Sequence, residues 1–244
     1  MKLISPVLLF MLPLSLLASE LPSEMLDLSQ WKLTLPVDEV KPLRSPDEIK
    51  QPALKEFMHE KYFYVENKGV IFHAPCGGAT TKNSKYPRCE LREMTTGGKS
   101  RAAWDTSAPI LRTMTLKARI TKTPKVKRHI VCAQIHDADD DLMMVRLEGA
   151  KLFIERNKIG DVMLDANYKL GAPFTVKIQA GNGYVKVWFN EELKMSWKIA
   201  KQGCYFKAGC YTQSNPTKGD EPEDYGEVQI FQLKLDQKKT ALPK

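Results

Sequence analysis

The amino-acid sequence predicts an all-β protein whose antiparallel strands form a sandwich or a barrel. Short runs of alternating apolar and polar residues follow one another along the chain, with turn residues between them. Helical periodicity is confined to short stretches, so we expect few and short helices. The predicted strands are 113–120, 130–136, 143–148, 151–156, 174–180, 184–190, 194–199, 205–213 and 227–235. Regular short strands separated by turns are typical of sandwiches and barrels.

The N-terminal segment predicts a secretory signal peptide over residues 1–18. Lys2 precedes an apolar run that extends to Leu17, and the small residues Ala18 and Ser19 suit a cleavage site. The run is too short and too interrupted by proline for a stable membrane span. We therefore expect a secreted or periplasmic protein, with residues 19–244 forming a single domain and no membrane association once the signal is removed.

Three other segments carry local structural signals. Residues 45–58 are the best candidate for a helix, since Ser45 can cap it, although Pro52 should interrupt it. Gly181-Asn182-Gly183 predicts a tight hairpin turn, because Asn and Gly accept positive φ. Residues 214–225 are rich in Pro, Gly and acidic residues, and they form either a mobile lid or a plain connecting loop.

The charge of the chain restricts the class of its partner. A formal net charge of +8 favours a polyanion through long-range attraction, without saying which polyanion. The densest basic stretch is Lys122, Lys125, Lys127, Arg128 and His129. Aromatic stacking residues are not interleaved with it, so no nucleic-acid partner is expected. We interpret this stretch as a solvated connection between strands rather than as part of a substrate site.

The five cysteines leave at least one thiol unpaired within the chain. Cys204 and Cys210 lie on one predicted strand, which would hold their Cα atoms about 20 Å apart, whereas a disulfide needs less than about 7 Å. Proximity in sequence favours a bridge between Cys76 and Cys89, and buried unpaired cysteines are the alternative. No Cys/His spacing indicates a metal site, and we expect neither a metal nor an organic cofactor.

Three short segments place polar residues at alternate positions of predicted strands. They are Arg88-Cys89-Glu90-Leu91-Arg92, Gln134-Ile135-His136 and Tyr205-Phe206-Lys207-Ala208-Gly209-Cys210-Tyr211-Thr212-Gln213. Successive side chains of a strand point to opposite faces, so each segment has one polar face and one apolar face. The predicted site residues are Arg88, Glu90, Arg92, Gln134, His136, Tyr205, Lys207, Tyr211 and Gln213. Together they predict a polar, cationic sheet face backed by a buried one.

These segments resemble the signature blocks of polysaccharide lyase family 7, the alginate lyases built on a β-jelly roll. They match the family's R-x-E-L-R, Q-I-H and Y-F-K-A-G-x-Y-x-Q blocks in the family's order and at comparable spacing. The similarity continues through Trp31-Lys32-Leu33-Thr34-Leu35-Pro36, Gly78-Ala79-Thr80-Thr81, Asn83-Ser84 and Tyr86-Pro87. The resemblance implies a jelly roll with a concave substrate-binding sheet, and cleavage of alginate by β-elimination.

The polar residues suit that chemistry. β-Elimination at a 4-linked uronate removes the C5 proton, which is α to the C6 carboxylate, and expels the 4-linked oxygen. The site must neutralise the carboxylate where negative charge builds up, and Arg88 offers a bidentate fork while Gln134 offers an amide donor. A phenol titrates at about 10 and an imidazole at about 6.5, so Tyr211 can supply a proton while a neutral His136 accepts one.

The resemblance implies matching roles. The family uses the tyrosine that matches Tyr211 as acid, and as base too when the C5 proton lies on its side of the sugar. It uses the histidine that matches His136 as base for the opposite epimer. Arg88, Gln134 and His136 match the residues with which the family neutralises the substrate carboxylate. Arg92 and Lys207 match positions that bind substrate in the family.

Three further residues complete the predicted site. Glu90 is expected to orient the flanking arginines, and Tyr205 and Gln213 to contact the substrate. In this family, isoleucine at the position of Ile135 accompanies action on guluronate-containing links. The resemblance therefore implies a weak preference for these links.

Two other classes of protein deserve comparison. A non-catalytic carbohydrate-binding protein of the same fold is the alternative, but it needs no acid or base, and the complete proton-transfer set argues against it. A jelly-roll glycoside hydrolase needs two carboxylates flanking the scissile bond, and Glu90 is the only acid in the three segments. We therefore expect a monomeric lyase whose partner is alginate.

Overall fold

The computed structural model describes residues 20–40 and 45–240. The predicted signal peptide lies outside the described residues, so it stays a prediction. Among the residues that are described, no helix is long and apolar enough to cross a membrane.

The described chain is almost entirely β. In order, its strands are β1 (Trp31–Thr34), β2 (Glu48–Ile49), β3 (Phe63–Glu66), β4 (Gly69–Pro75), β5 (Arg88–Glu93), β6 (Ile110–Lys122), β7 (His129–His136), β8 (Asp141–Glu148), β9 (Lys151–Glu155), β10 (Val162–Asp165), β11 (Phe174–Gly181), β12 (Tyr184–Phe189), β13 (Glu192–Lys198), β14 (Tyr205–Thr212) and β15 (Tyr225–Lys239). The helical segments are α1 (Pro22–Met25) and three 3₁₀ turns at Ala53–Glu56, Thr96–Gly98 and Pro216–Lys218. The prediction of few and short helices is confirmed.

The strands form two antiparallel sheets. One, which we call the groove sheet, has the order β10-β9-β8-β7-β14-β5-β1-β2, and the other, the outer sheet, has the order β13-β12-β11-β6-β15-β4-β3. The apolar faces of the two sheets supply the core. Cys89, Leu91, Ile135 and Phe206 of the groove sheet are buried there, as the alternation predicts. Burying a side chain such as Phe206 contributes about 1.5–3 kcal/mol.

The structure corrects the prediction of a helix at residues 45–58. Glu48 and Ile49 pair with β1 as the edge strand β2, and a 3₁₀ turn at Ala53–Glu56 follows. Pro52 interrupts the segment as expected, and pairing with a neighbouring strand outweighs a weak local helical signal.

The hairpin prediction is confirmed. The turn between β11 and β12 contains Asn182 at φ 54° and Gly181 at φ 148°. A Cβ at Gly181 would lie 2.3 Å from the Ile110 carbonyl oxygen, so this position requires glycine.

No disulfide joins Cys76 and Cys89, and of the two alternatives for the cysteines the structure supports buried unpaired thiols. All five cysteines are free and buried. Cys89 faces the core, where its thiol donates to the Tyr62 carbonyl at 3.2 Å, and burial raises the pKa of Cys76 to about 12. These thiols act as small apolar side chains, which was the alternative.

Residues 214–225 are fastened to the connection between β6 and β7. Asp220 accepts the backbone N–H groups of Val126 and Lys127 at 2.7 and 2.9 Å and the Ser214 hydroxyl at 2.5 Å. An ion pair of 2.7 Å joins Lys125 to Asp224. These bonds favour a connecting loop over a lid, and they place much of the basic stretch in a connection between strands, as expected.

Candidate active site

A cavity of about 280 Å³ opens on the groove sheet, and we call it the groove. Seven of the nine predicted site residues line it: Arg88, Arg92, Gln134, His136, Tyr205, Lys207 and Tyr211. The other lining residues are Lys32, Thr34, Glu48, Thr81, Asn83, Ser84, Arg101, Asp140 and Asp141. The groove therefore crosses the sheet from β2 to β8.

The register of β14 brings the three sequence segments together. β14 lies between β7 and β5. Lys207 faces Arg92 on one side and Gln134 on the other, while Tyr211 faces Arg88. Cross-strand neighbours on one face lie about 5 Å apart, so segments remote in sequence form one polar surface.

A buried carboxylate holds this surface together from beneath. Glu90 is 1% exposed; it pairs with Arg88 at 3.0 Å and with Lys207, and it accepts a hydrogen bond from Gln134 Nε2. Burial alone would raise the pKa of Glu90, but Lys207 and Arg88 outweigh it and lower the pKa. The predicted orienting role of Glu90 is consistent with these contacts.

The ammonium group of Lys207 pairs with Glu90 within this cluster, and the residue is 8% exposed, on the side that lines the groove. Burial, followed by the nearby Arg88 guanidinium, lowers the pKa of Lys207 to about 8. Two cations therefore face one carboxylate at neutral pH, which leaves a net positive charge for an anionic ligand.

His136 is arranged to accept a proton. Its Nδ1 lies 2.9 Å from the Asp137 carbonyl oxygen, and because a carbonyl only accepts, Nδ1 carries the hydrogen. In the neutral ring, Nε2 is then the acceptor. Burial, with a smaller effect of Lys207, lowers the pKa of His136, so the neutral form dominates at pH 7.

Tyr211 is arranged to donate a proton. Its hydroxyl lies 3.1 Å from Ser84 Oγ, and Ser84 Oγ donates in turn to the Tyr86 carbonyl at 3.1 Å. The single hydroxyl proton of Ser84 is used in that bond, so Ser84 accepts from Tyr211. The Arg88 guanidinium stacks 3.9 Å from the centre of the Tyr211 ring.

Sequence reasoning did not select Ser84 as a site residue. The available signal was its place in the Asn83-Ser84 block. Nothing in the local pattern indicated contact with a tyrosine more than a hundred residues later in the chain.

Tyr205 and Arg92 form the part of the groove next to His136. The Arg92 guanidinium lies 3.8 Å from the centre of the Tyr205 ring, and the Tyr205 and His136 rings stack with centroids 5.2 Å apart. Burial raises the pKa of Tyr205. This stack leaves one face of the groove aromatic and cationic.

Gln213 does not line the groove. β14 ends at Thr212, and the buried Gln213 amide contacts Met144 Sδ at 3.8 Å. The structure does not bring Gln213 to the other site residues, and its predicted contact with substrate stays a prediction.

Within residues 20–40 and 45–240, no group of three or more His, Cys, Asp or Glu side chains is arranged to hold a metal ion. The groove's positive charge comes from arginine and lysine side chains.

Comparison with known proteins assigns the chain to a family. A family model described as alginate lyase matches residues 26–237. The solved alginate lyase AlgAT5 from polysaccharide lyase family 7 is 48% identical, with a TM-score of 0.85 over 90% of this chain and 100% of that one. A variant of alginate lyase A1-II′, with one histidine and one tyrosine replaced and in complex with substrate, is 26% identical, with a TM-score of 0.75 over 91% of this chain and 98% of that one.

A curated alginate lyase from Klebsiella pneumoniae is 37% identical over 101 residues, which is 36% of this chain and 33% of that protein. The match thus spans about a third of the length of this relative. The predicted family and jelly-roll sandwich are confirmed, and the chain belongs to the alginate lyases of polysaccharide lyase family 7.

Proposed function

We propose that this protein is a secreted lyase that cleaves alginate by β-elimination at 4-linked uronates. The observation that carries the proposal is the pairing of a proton acceptor, His136, with a proton donor, Tyr211, in one cationic groove. Family membership supports it, and so does the solved A1-II′ complex, in which a variant lacking one histidine and one tyrosine holds substrate.

The cationic cluster neutralises the C6 carboxylate in this proposal. Arg88 lines the groove, and its guanidinium has five N–H groups, of which Nη1 donates to Glu90, so further N–H groups are left for a bound anion. Gln134 uses one amide N–H toward Glu90 and keeps a second. Removing one such preorganised donor typically costs about 10²–10³ in kcat.

The two proton transfers are divided between His136 and Tyr211. His136 Nε2 takes the C5 proton when that proton lies on its side of the sugar and becomes the imidazolium. For the opposite epimer Tyr211, as the phenolate, takes the proton and then gives it to O4. Tyr211 protonates the departing 4-linked oxygen as the C4–O4 bond breaks and the C4=C5 double bond forms. The products are an unsaturated uronate and a chain with a free hydroxyl.

The finer properties are also proposals. The Ile135 side chain is fully buried and points away from the groove, so the proposed lean toward guluronate-containing links acts indirectly. Secretion to the medium or the periplasm rests on the predicted signal peptide. We further propose a monomer that needs no cofactor.

The test is ultraviolet absorbance of the unsaturated product, measured with polymannuronate, polyguluronate and pectate. Wild-type protein should produce a signal with an alginate polymer, and Tyr211→Phe should abolish it. Tyr184→Phe, a half-exposed tyrosine of β12 on the outer sheet, is the matched control and should remain active. Retained binding of alginate without any product would favour the non-catalytic carbohydrate-binding protein instead.

A further inference from the structure

A second cavity of about 590 Å³ adjoins the groove beside β1 and β2, and we call it the end pocket. Its lining includes Lys32, Lys50, Gln51, Gly98, Lys99 and Arg101. Lys32 and Arg101 line the groove as well, so the two cavities are adjacent.

The end pocket is strongly basic. Glu48 is the acid that pairs with its lysines, contacting Lys32 closely and Lys50 at 3.8 Å. Lys99 and Arg101 have no acidic partner among the described residues. Four cations therefore share one carboxylate, and the excess charge faces the cavity.

The wall of the end pocket is preformed. Gly98 packs so closely on Gln51 that a Cβ at Gly98 would lie 2.5 Å from Gln51 Cγ. The Gln51 amide is itself fixed by a 2.7 Å hydrogen bond to the Leu28 carbonyl. The turn that carries Lys99 and Arg101 is thus fastened to the segment that carries Lys50.

The opposite end of the groove is acidic. Asp140 and Asp141 line it beyond His136, and the backbone N–H of Asp140 is held by Asp137 Oδ1 at 2.9 Å. Burial, followed by the neighbouring Asp140, raises the pKa of Asp141 to about 7, so Asp140 carries most of the negative charge there at neutral pH. A polyanion crossing the sheet is attracted toward β1 and β2 and disfavoured beside Asp140.

The spacing of the strands sets the reach of the end pocket. β14, β5, β1 and β2 are neighbours, so β2 lies three strand spacings from β14, roughly 14 Å. Lys32 is in register with Arg92 and Lys207, which is four residues from Tyr211, so the end pocket is also displaced by roughly 13 Å along the strands, and its distance from Tyr211 is roughly 19 Å. One sugar unit of a 4-linked chain spans about one such spacing. We propose that the end pocket binds carboxylates of a polyuronate about four sugar units from the cleaved link. This inference rests on the proposed function and assigns it two residues outside the signature segments, Lys50 and Lys99.

The test compares substrates of different length with a Lys50→Gln/Lys99→Gln double variant. A uronate trimer bound for cleavage cannot reach the end pocket, whereas an octamer can. We expect kcat/KM for the octamer to fall about tenfold through KM, the loss expected for two partly exposed charge contacts, with the trimer unchanged. Lys238→Gln/Lys239→Gln, which removes the same charge from exposed positions of β15, should change neither.

Calorimetric binding of the octamer in a Tyr211→Phe background separates the two proposals. If wild type shows no lyase activity but the double variant still binds the octamer more weakly, the end pocket stands and the proposed function fails. The end-pocket proposal would be overturned if the double variant bound the octamer as tightly as the Tyr211→Phe parent does. It would also be overturned if kcat/KM fell equally for the trimer and the octamer, or if Lys238→Gln/Lys239→Gln caused the same loss.

Discussion

Replacing Glu90 with glutamine tests whether one buried carboxylate holds the cationic groove together. The substitution keeps the shape and an acceptor for Gln134 but removes the charge that faces Arg88 and Lys207. Removing one partner of a buried ion pair costs about 3–5 kcal/mol. Lys207 can release its proton in response, which limits the penalty, so we expect a loss of about 3 kcal/mol in the free energy of unfolding.

The size of this loss should depend on pH. The folded pKa of Lys207, about 8, lies below its ordinary 10.5, so the unfolded chain binds more protons between these values and stability rises with pH there. Glu90 raises the pKa of Lys207, so this pKa is lower in the Glu90→Gln variant. The increase in the free energy of unfolding with pH therefore begins at lower pH in the variant, and the difference from wild type becomes smaller before pH 8. Glu90 itself has a lowered pKa, so its contribution is present above its ordinary value and is lost in acid.

Urea unfolding of wild type and Glu90→Gln at about pH 6 and about pH 9 measures both effects, with the larger loss expected at the lower pH. Glu192→Gln is the control, because Glu192 is 69% exposed and pairs with Lys194 at 2.7 Å; it should remain close to wild type. The reasoning would be refuted if Glu90→Gln lost as little free energy of unfolding as the control does. It would also be refuted if the loss were the same at both pH values.

Three further outcomes can be checked by kinetics. The pH profile of kcat/KM should fall in acid only below the ordinary histidine value, because the pKa of His136 is lowered, and fall in base near pH 8 as Lys207 loses its proton. An acid fall centred above the ordinary histidine value would contradict the first assignment, and full activity at pH 9 would contradict the second. Ser84→Ala should lower kcat about tenfold with little change in KM, because the Tyr211 hydroxyl loses its partner; Ser84→Thr should retain most activity, and an unchanged Ser84→Ala enzyme would exclude the positioning role. Exhaustive chelation should leave full activity, and a loss that calcium alone restores would show that a metal is needed.

Whether a strand could be predicted from the sequence depended on whether one or both of its faces are buried and on its length. β11 alternates buried and half-buried residues along its length, and that alternation predicts a strand. β1 has only four residues, too few for its alternation of apolar and polar residues to mark a strand, and β4 is buried along most of its length. Strands covered on both faces are not distinguished from other apolar runs by periodicity alone.

The candidate site was predictable where a single strand carries it. Alternation placed Lys207 and Tyr211 on one face, and the register confirms their shared groove. The same reasoning extended to Gln213, but β14 ends one residue earlier, and the alternation of faces holds only while the backbone stays in the strand. Ser84 reaches Tyr211 from a loop, and no periodicity describes a loop contact.

The end pocket shows why net charge predicts a class of ligand but not where the ligand binds. Lys50 follows β2, whereas Lys99 and Arg101 belong to the connection after β5, and the pairing of β1 with β2 and with β5 brings these two connections to one edge of the sheet. The chain's overall charge of +8 includes Asp140 and Asp141 at the other end of the same groove, where they oppose an anion. Screening limits each charge to about 8–10 Å at physiological salt, so the sugar units of a bound chain experience different fields. The distribution of charge along the groove, rather than its sum, therefore determines on which side of the cleaved link a polyuronate is held.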